Sequence, residues 1–214
     1  MVIHAEKGPL MIASNPVRPP STEELSQVRS LNRLFLGFLK DRVRRNEDGL
    51  GLPAEARAAL LKASEEQLDA VAHFPRAVFA LALEGEPARV MDLSAADSAR
   101  FAIDITILHC AWSFSRQNVC QARFLLGLDS RTIQRLRALQ LADLAQYARL
   151  PELLSCAFAD NPRFWTGLLT VRQPEERWRL ALIALQPATV GPPTRAAAGG
   201  RSLSARSRST QSIE

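Results

Sequence analysis

The sequence predicts an all-α fold of two tandem helical units, on three observations. Serine-started capping patterns stand ahead of apolar stripes at three- and four-residue spacing. A short pattern around one glycine recurs with its surroundings at a fixed offset. And the 214 residues are 47% hydrophobic and 23% charged, which is enough apolar surface for a core and too much for a disordered chain.

Residues 1–20 have no periodicity, close on Pro16, Pro19 and Pro20, and are expected to be a disordered leader. Ser21 and Glu24 then form a capping box, in which each side chain satisfies an amide left over at a helix start. A long helix should follow, with Leu31, Leu34, Phe35, Phe38, Leu39 and Val43 on one face. Gly49 and Gly51 interrupt it, and Pro53 suits the first turn of a shorter helix. Ser64 and Gln67 make a second capping box ahead of Leu68, Val71 and Ala72. An apolar segment from Phe74 to Leu83 ends at Gly85 and Pro87.

The second half repeats this plan. Leu50-Gly51-Leu52 returns as Leu126-Gly127-Leu128, which sets the repeat offset at 126 less 50. Without gaps, the same offset matches Phe38 with Phe114, Val43 with Val119, Leu60 with Leu136 and Leu68 with Leu144. It also matches Ala72 with Ala148, Pro75 with Pro151, Glu84 with Asp160 and Leu93 with Leu169. The units are therefore set at 21–95 and 96–187, and a duplicated unit of this length is expected to bury a shared face against its copy. Pro174 should start a last short helix through Trp178, Leu180 and Ile183, before a disordered basic tail over 188–214. Val78–Leu83 and Leu154–Phe158 occupy equivalent places and read either as a small ribbon or as helix ends.

Charge and composition narrow the function. Basic residues outnumber acidic ones by 27 to 22, but part of that excess lies in the tail, at Arg195, Arg201, Arg206 and Arg208. No apolar run approaches the roughly 20 residues of a membrane helix, and the start lacks a signal-peptide core, so a cytoplasmic protein is expected. Three cysteines, Cys110, Cys120 and Cys156, are too few and too scattered for a disulfide framework. On a helix, Cys110 and Cys120 stand roughly 80° and three turns apart, out of reach of one ion, and they read as small apolar residues. His4, His73 and His109 have no nucleophile or acid placed to make a catalytic set, and no phosphate loop or dinucleotide motif is present. Neither an enzyme nor a cofactor is expected.

The richest local stretch is Val119–Leu139. A helix, a turn at Gly127 and a second helix capped by Asp129 have the order of a helix-turn-helix, with Ser130, Arg131, Thr132, Gln134 and Arg135 facing a major groove. Arginine and glutamine suit base edges, and a helix start suits phosphate. Against this, the position four before the turn glycine, small in that motif because the helices cross there, is Arg123. A purely structural corner is the other reading.

The run Leu108–Asp160 resembles FlhD, the helical subunit of the bacterial flagellar transcription activator. The residues that carry the likeness are Leu108–Ala122, then Ala122-Arg123-Phe124-Leu125-Leu126-Gly127, Ile133–Leu139, Leu139-Gln140-Leu141, Leu144–Ala148, and Leu153–Phe158 with Asp160. The first unit, Leu31–Glu84, matches more loosely, and the two together cover about three fifths of the chain. The resemblance implies a transcription regulator that works with an FlhC-like zinc-binding subunit on promoter DNA, with RNA polymerase as a further partner and flagellar genes as targets. Activity would then rest on Phe124, Leu126 and Gly127, with Arg131, Gln134 and Arg135 as DNA or partner contacts. Leu125 stands where that family has an arginine, and Ser155, beside Cys156, where it has an intersubunit cysteine. Two units in one chain would replace a homodimer by a built-in one, with further homo-oligomerisation left open. A helical protein–protein adaptor that never touches DNA is the alternative.

Overall fold

The helix starts are set by their caps. Ser21 Oγ accepts the Glu24 amide at 3.2 Å while Glu24 Oε2 accepts the Ser21 amide at 2.7 Å, and Ser64 and Gln67 repeat the arrangement at 3.2 and 2.8 Å. The computed structural model describes residues 18–84 and 95–171, with 173, 175–176, 179–180 and 182. Among these residues the chain is mostly helical. Its elements are α1 (Thr22–Arg44), α2 (Ala54–Lys62), α3 (Glu65–Ala72), β1 (Phe79–Leu81), α4 (Ala95–Gln117), α5 (Val119–Leu126), α6 (Ser130–Ala138), α7 (Leu141–Tyr147), β2 (Leu154–Cys156) and α8 (Pro162–Thr170).

β1 and β2 form an antiparallel ribbon, with Phe79 opposite Cys156, Ala80 opposite Ser155 and Leu81 opposite Leu154. So the two apolar runs left open by the sequence pair with each other. Around the ribbon the elements of the two halves keep their spacing. The starts of α2 and α6, Ala54 and Ser130, stand one repeat offset apart, as do those of α3 and α7, Glu65 and Leu141. Gly51 and Gly127 take left-handed φ values of 81° and 67°. Leu60 and Leu136 are both fully buried, and the pairs Phe38 and Phe114, Leu68 and Leu144, and Ala72 and Ala148 are buried too.

The halves interlock. Ala77 N–H of the first half donates to Leu125 O of the second at 2.7 Å, and Cys156 N–H of the second donates to Leu50 O of the first at 2.8 Å. Each ribbon segment is thus tied to the corner of the opposite half. α8 crosses over to pack on α2 and α3, and Phe74 of the first half meets Phe164 of α8 edge-on at 5.5 Å. A single apolar core spans both halves, from Phe35, Leu36 and Leu39 to Ile107, Leu125 and Trp165.

Two features differ from the sequence reading. The helix expected over Leu108–Ala122 breaks at Asn118, whose backbone is extended and whose side chain accepts the amides of Cys120 and Gln121 at 3.0 and 3.2 Å. One residue thereby ends α4 and caps α5. α8 had no counterpart in the sequence reading; Asn161 caps it through the Phe164 amide at 3.1 Å, with Pro162 in its first turn. Of the last predicted helix, Glu175, Glu176, Arg179, Leu180 and Leu182 are helical, while Pro174, Trp178 and Ile183 lie outside the described residues. The leader up to residue 17 and the basic tail also lie outside them. No described helix is long and apolar enough to cross a membrane.

Candidate functional site

The α5–α6 corner is built by three residues. Gly127 turns the chain through the left-handed region, Leu128 fills the core beneath (5% exposed), and Asp129 caps α6 by accepting the Thr132 amide at 2.6 Å. A Cβ on Gly127 would lie 2.9 Å from a guanidinium nitrogen of Arg76. That contact is with the far end of a flexible side chain, so the backbone conformation dominates. Gly127→Ala should destabilise the protein by about 1–2 kcal/mol, read as a lower urea midpoint at unchanged slope.

Ala122 is fully buried, while the next residue, Arg123, is not. Arg123 is exposed and reaches over the turn to donate to Ser130 Oγ, which removes the steric objection to a helix-turn-helix. α6 buries only Ile133 and Leu136 and turns Ser130, Arg131, Gln134, Arg135 and Arg137 outward. No acidic residue lies within α6 itself. The predicted residues divide accordingly. Phe124 stands 44% exposed on α5, whereas Leu126 is buried in the core and shapes the corner from within. Arg135 Nη1 donates to Leu83 O at 2.6 Å, and Arg131 stands 4.0 Å from Glu84, so both arginines lie beside the segment leaving β1. The Arg131–Glu84 pair is exposed on both sides and contributes little to stability.

The other candidate side chains are scattered. His73 ends α3 with Nδ1 2.7 Å from Asp69 O. His109 is exposed on α4, 5.9 Å from the Trp112 ring. Cys156 is buried in the ribbon, where burial pushes its thiol pKa up to about 12, and Cys110 and Cys120 are half-buried. No group of three His, Cys, Asp or Glu side chains among the described residues could hold a metal ion.

A second surface was not singled out in the sequence. α4 and α7 enclose an open groove of about 410 Å3 lined by Ile105, Thr106, His109, Cys110, Leu141, Leu144 and Ala145. Leu141 is 60% exposed there. Trp112, three residues on from His109, ties α4 to the end of α6, its indole N–H donating to Leu139 O at 3.0 Å. The signal available in the sequence was negative: between Arg100 and Arg116, α4 carries one charge, Asp104, and that residue is buried.

No protein-family model, curated protein or solved structure matches the chain. The resemblance to FlhD therefore rests on the apolar spacings quoted above.

Proposed function

We propose that this protein is a non-enzymatic transcription regulator in which two FlhD-like units form a built-in dimer that binds promoter DNA together with a partner subunit. The observation that carries the reading is the α5–α6 corner: a left-handed glycine turn, a capped second helix, and Arg123, Arg131, Gln134, Arg135 and Arg137 exposed on one short stretch. Such a helix presents arginines for phosphate and a glutamine for a base edge. The built-in dimer is supported by the recurrence of helix starts and left-handed glycines at the repeat offset, and by the reciprocal bonds between the halves. At that offset a two-fold axis relating the halves passes through the middle of the ribbon, between Phe79–Ala80 and Ser155–Cys156. Ser155, where the family resemblance puts an intersubunit cysteine, pairs with Ala80 beside that axis. The FlhC-like zinc subunit, RNA polymerase and flagellar targets are inherited from the resemblance.

The test is the salt dependence of binding to duplex DNA. Replacing Arg131 and Arg135 together by alanine should lower affinity and reduce the slope of log K against log salt by about 2, one released counterion per lost phosphate contact. Arg135 also holds Leu83 O, so Arg131→Ala with Arg137→Ala is the control that leaves that bond intact. An unchanged slope in both variants would leave the arginines as a solvated face. The adaptor reading is favoured by one observation of its own, the uncharged α4–α7 groove.

A further inference from the structure

The repeat gives the molecule a second corner, and the two corners differ in charge. At the repeat offset Arg123 is matched by Glu47, Arg131 by Glu55, Arg135 by Ala59 and Arg137 by Leu61. Residues 121–138 hold four arginines and one acid, whereas the equivalent residues 45–62 hold three basic and three acidic residues. The first corner also uses its basic groups internally. Arg45 lies 2.6 Å from Glu47, and Arg57 donates to Leu52 O at 3.1 Å while standing 3.9 Å from Asp48. Asp160 adds an exposed acid beside this corner, because its neighbour Ala159 lies against the Gly51 turn, 3.5 Å from a Cβ built there.

Packing separates the corners as well. α6 packs on α4 and α5, and its Arg131, Gln134, Arg135 and Arg137 are exposed. α2 packs on both α1 and α8, and Ala59 is partly buried against the core. The position that carries an exposed arginine on α6 therefore carries a half-buried methyl group on α2. A dimer of identical units presents two equal recognition helices and reads an inverted repeat. Here a phosphate backbone meets attraction at one corner and like charge at the other.

We propose that each chain engages duplex DNA through the α5–α6 corner alone, so that its site is one non-palindromic segment and not an inverted repeat. This rests on the DNA-binding reading above and adds to it the number of contacts and the symmetry of the site. The exposed acids Asp48, Glu55 and Asp160 turn the first half away from the duplex.

The probe is a fluorescein-labelled duplex of about 12 base pairs and mixed sequence, roughly one helical turn. With the duplex in excess over the full chain at low salt, sedimentation velocity should give one duplex per chain at saturation. Arg131→Ala with Arg137→Ala should lower the slope of log K against log salt by about 2. Arg45→Ala with Lys62→Ala removes two basic groups from the first corner and should leave that slope unchanged, with affinity within about twofold. All four positions are exposed, so both variants should melt with the wild type. The second variant also detects a single duplex lying across both corners, which would give the same stoichiometry. Two duplexes per chain would overturn the proposal while leaving DNA binding intact. So would a slope lowered as much by the first-corner variant as by the α6 variant. No binding, or a slope that neither variant changes, would remove the DNA-binding reading and this inference with it.

Discussion

Replacing Asn32 by leucine should destabilise the protein by about 3 kcal/mol or more, although the second half places a fully buried leucine, Leu108, at the equivalent position. Asn32 is itself fully buried, and its amide clamps the segment between α3 and β1 from inside the fold. Its nitrogen donates to Arg76 O at 2.9 Å and lies 3.3 Å from both Ala72 O and Phe74 O, while its oxygen accepts the Val78 amide at 3.0 Å. Leucine has nearly the same volume but returns none of these bonds, so backbone groups would be left buried without partners. The loss should spread beyond α1, because this segment also donates Ala77 N–H to Leu125 O in the corner of the other half. Chemical denaturation gives the stability change, and amide exchange at Val78 and Ala77 locates it. A change under about 0.5 kcal/mol would mean that the segment is held by its apolar side chains alone.

What was legible beforehand follows the range of the interactions. Ser21 with Glu24, Ser64 with Gln67, and Asp129 at α6 are local caps, each complete within four residues, and each lies where its sequence pattern puts it. Gly127 is read from its place after an apolar run, and its left-handed φ needs only its own backbone. The ribbon runs were visible as apolar segments, but their choice between strand and helix end depended on pairing between distant parts of the chain, Phe79 with Cys156 among them. The break at Asn118 was missed because Ala111, Phe114, Ala122 and Leu125 keep a helical spacing through it; only the side chain's turn onto the Cys120 and Gln121 amides stops the helix. The same limit applies at the site. The exposure of Arg131, Gln134 and Arg135 was legible from their place on a short amphipathic helix, whereas Leu126 is buried in the core, which spacing alone did not decide. The α4–α7 groove escaped because its mark is missing charge, and that has meaning only beside the pairing of Arg33 with Glu65 and Asp69 on the other half.

Asp104→Asn should stabilise the protein at neutral pH, and the gain should vanish in acid. Asp104 is 1% exposed, and its Oδ1 has no hydrogen-bond partner among the described residues. Burial drives its pKa up from 3.8 to about 6, against the opposing pull of the Arg100 charge, the Arg100 hydrogen bond at 3.3 Å and the Arg42 charge. The folded state thus holds a proton that the unfolded chain has already released. The stability this group contributes is fully present below pH 3.8, is lost as pH rises toward 6, and is absent above it. Asparagine keeps the shape and removes the charge, so at pH 7.5 it should return about 1–3 kcal/mol, a rise in Tm of several degrees, with the two melting curves converging near pH 4. Arg100 does not depend on the carboxylate alone: it also donates to Pro151 O, and its side chain is a quarter exposed. The other half shows that the packing needs no acid there, since Val28 fills the equivalent place at 1% exposure. If the variant instead melts lower at pH 7.5, the Arg100–Asp104 pair within α4 outweighs the burial of its charge, and the carboxylate holds Arg100 in place for its bond to Pro151 O.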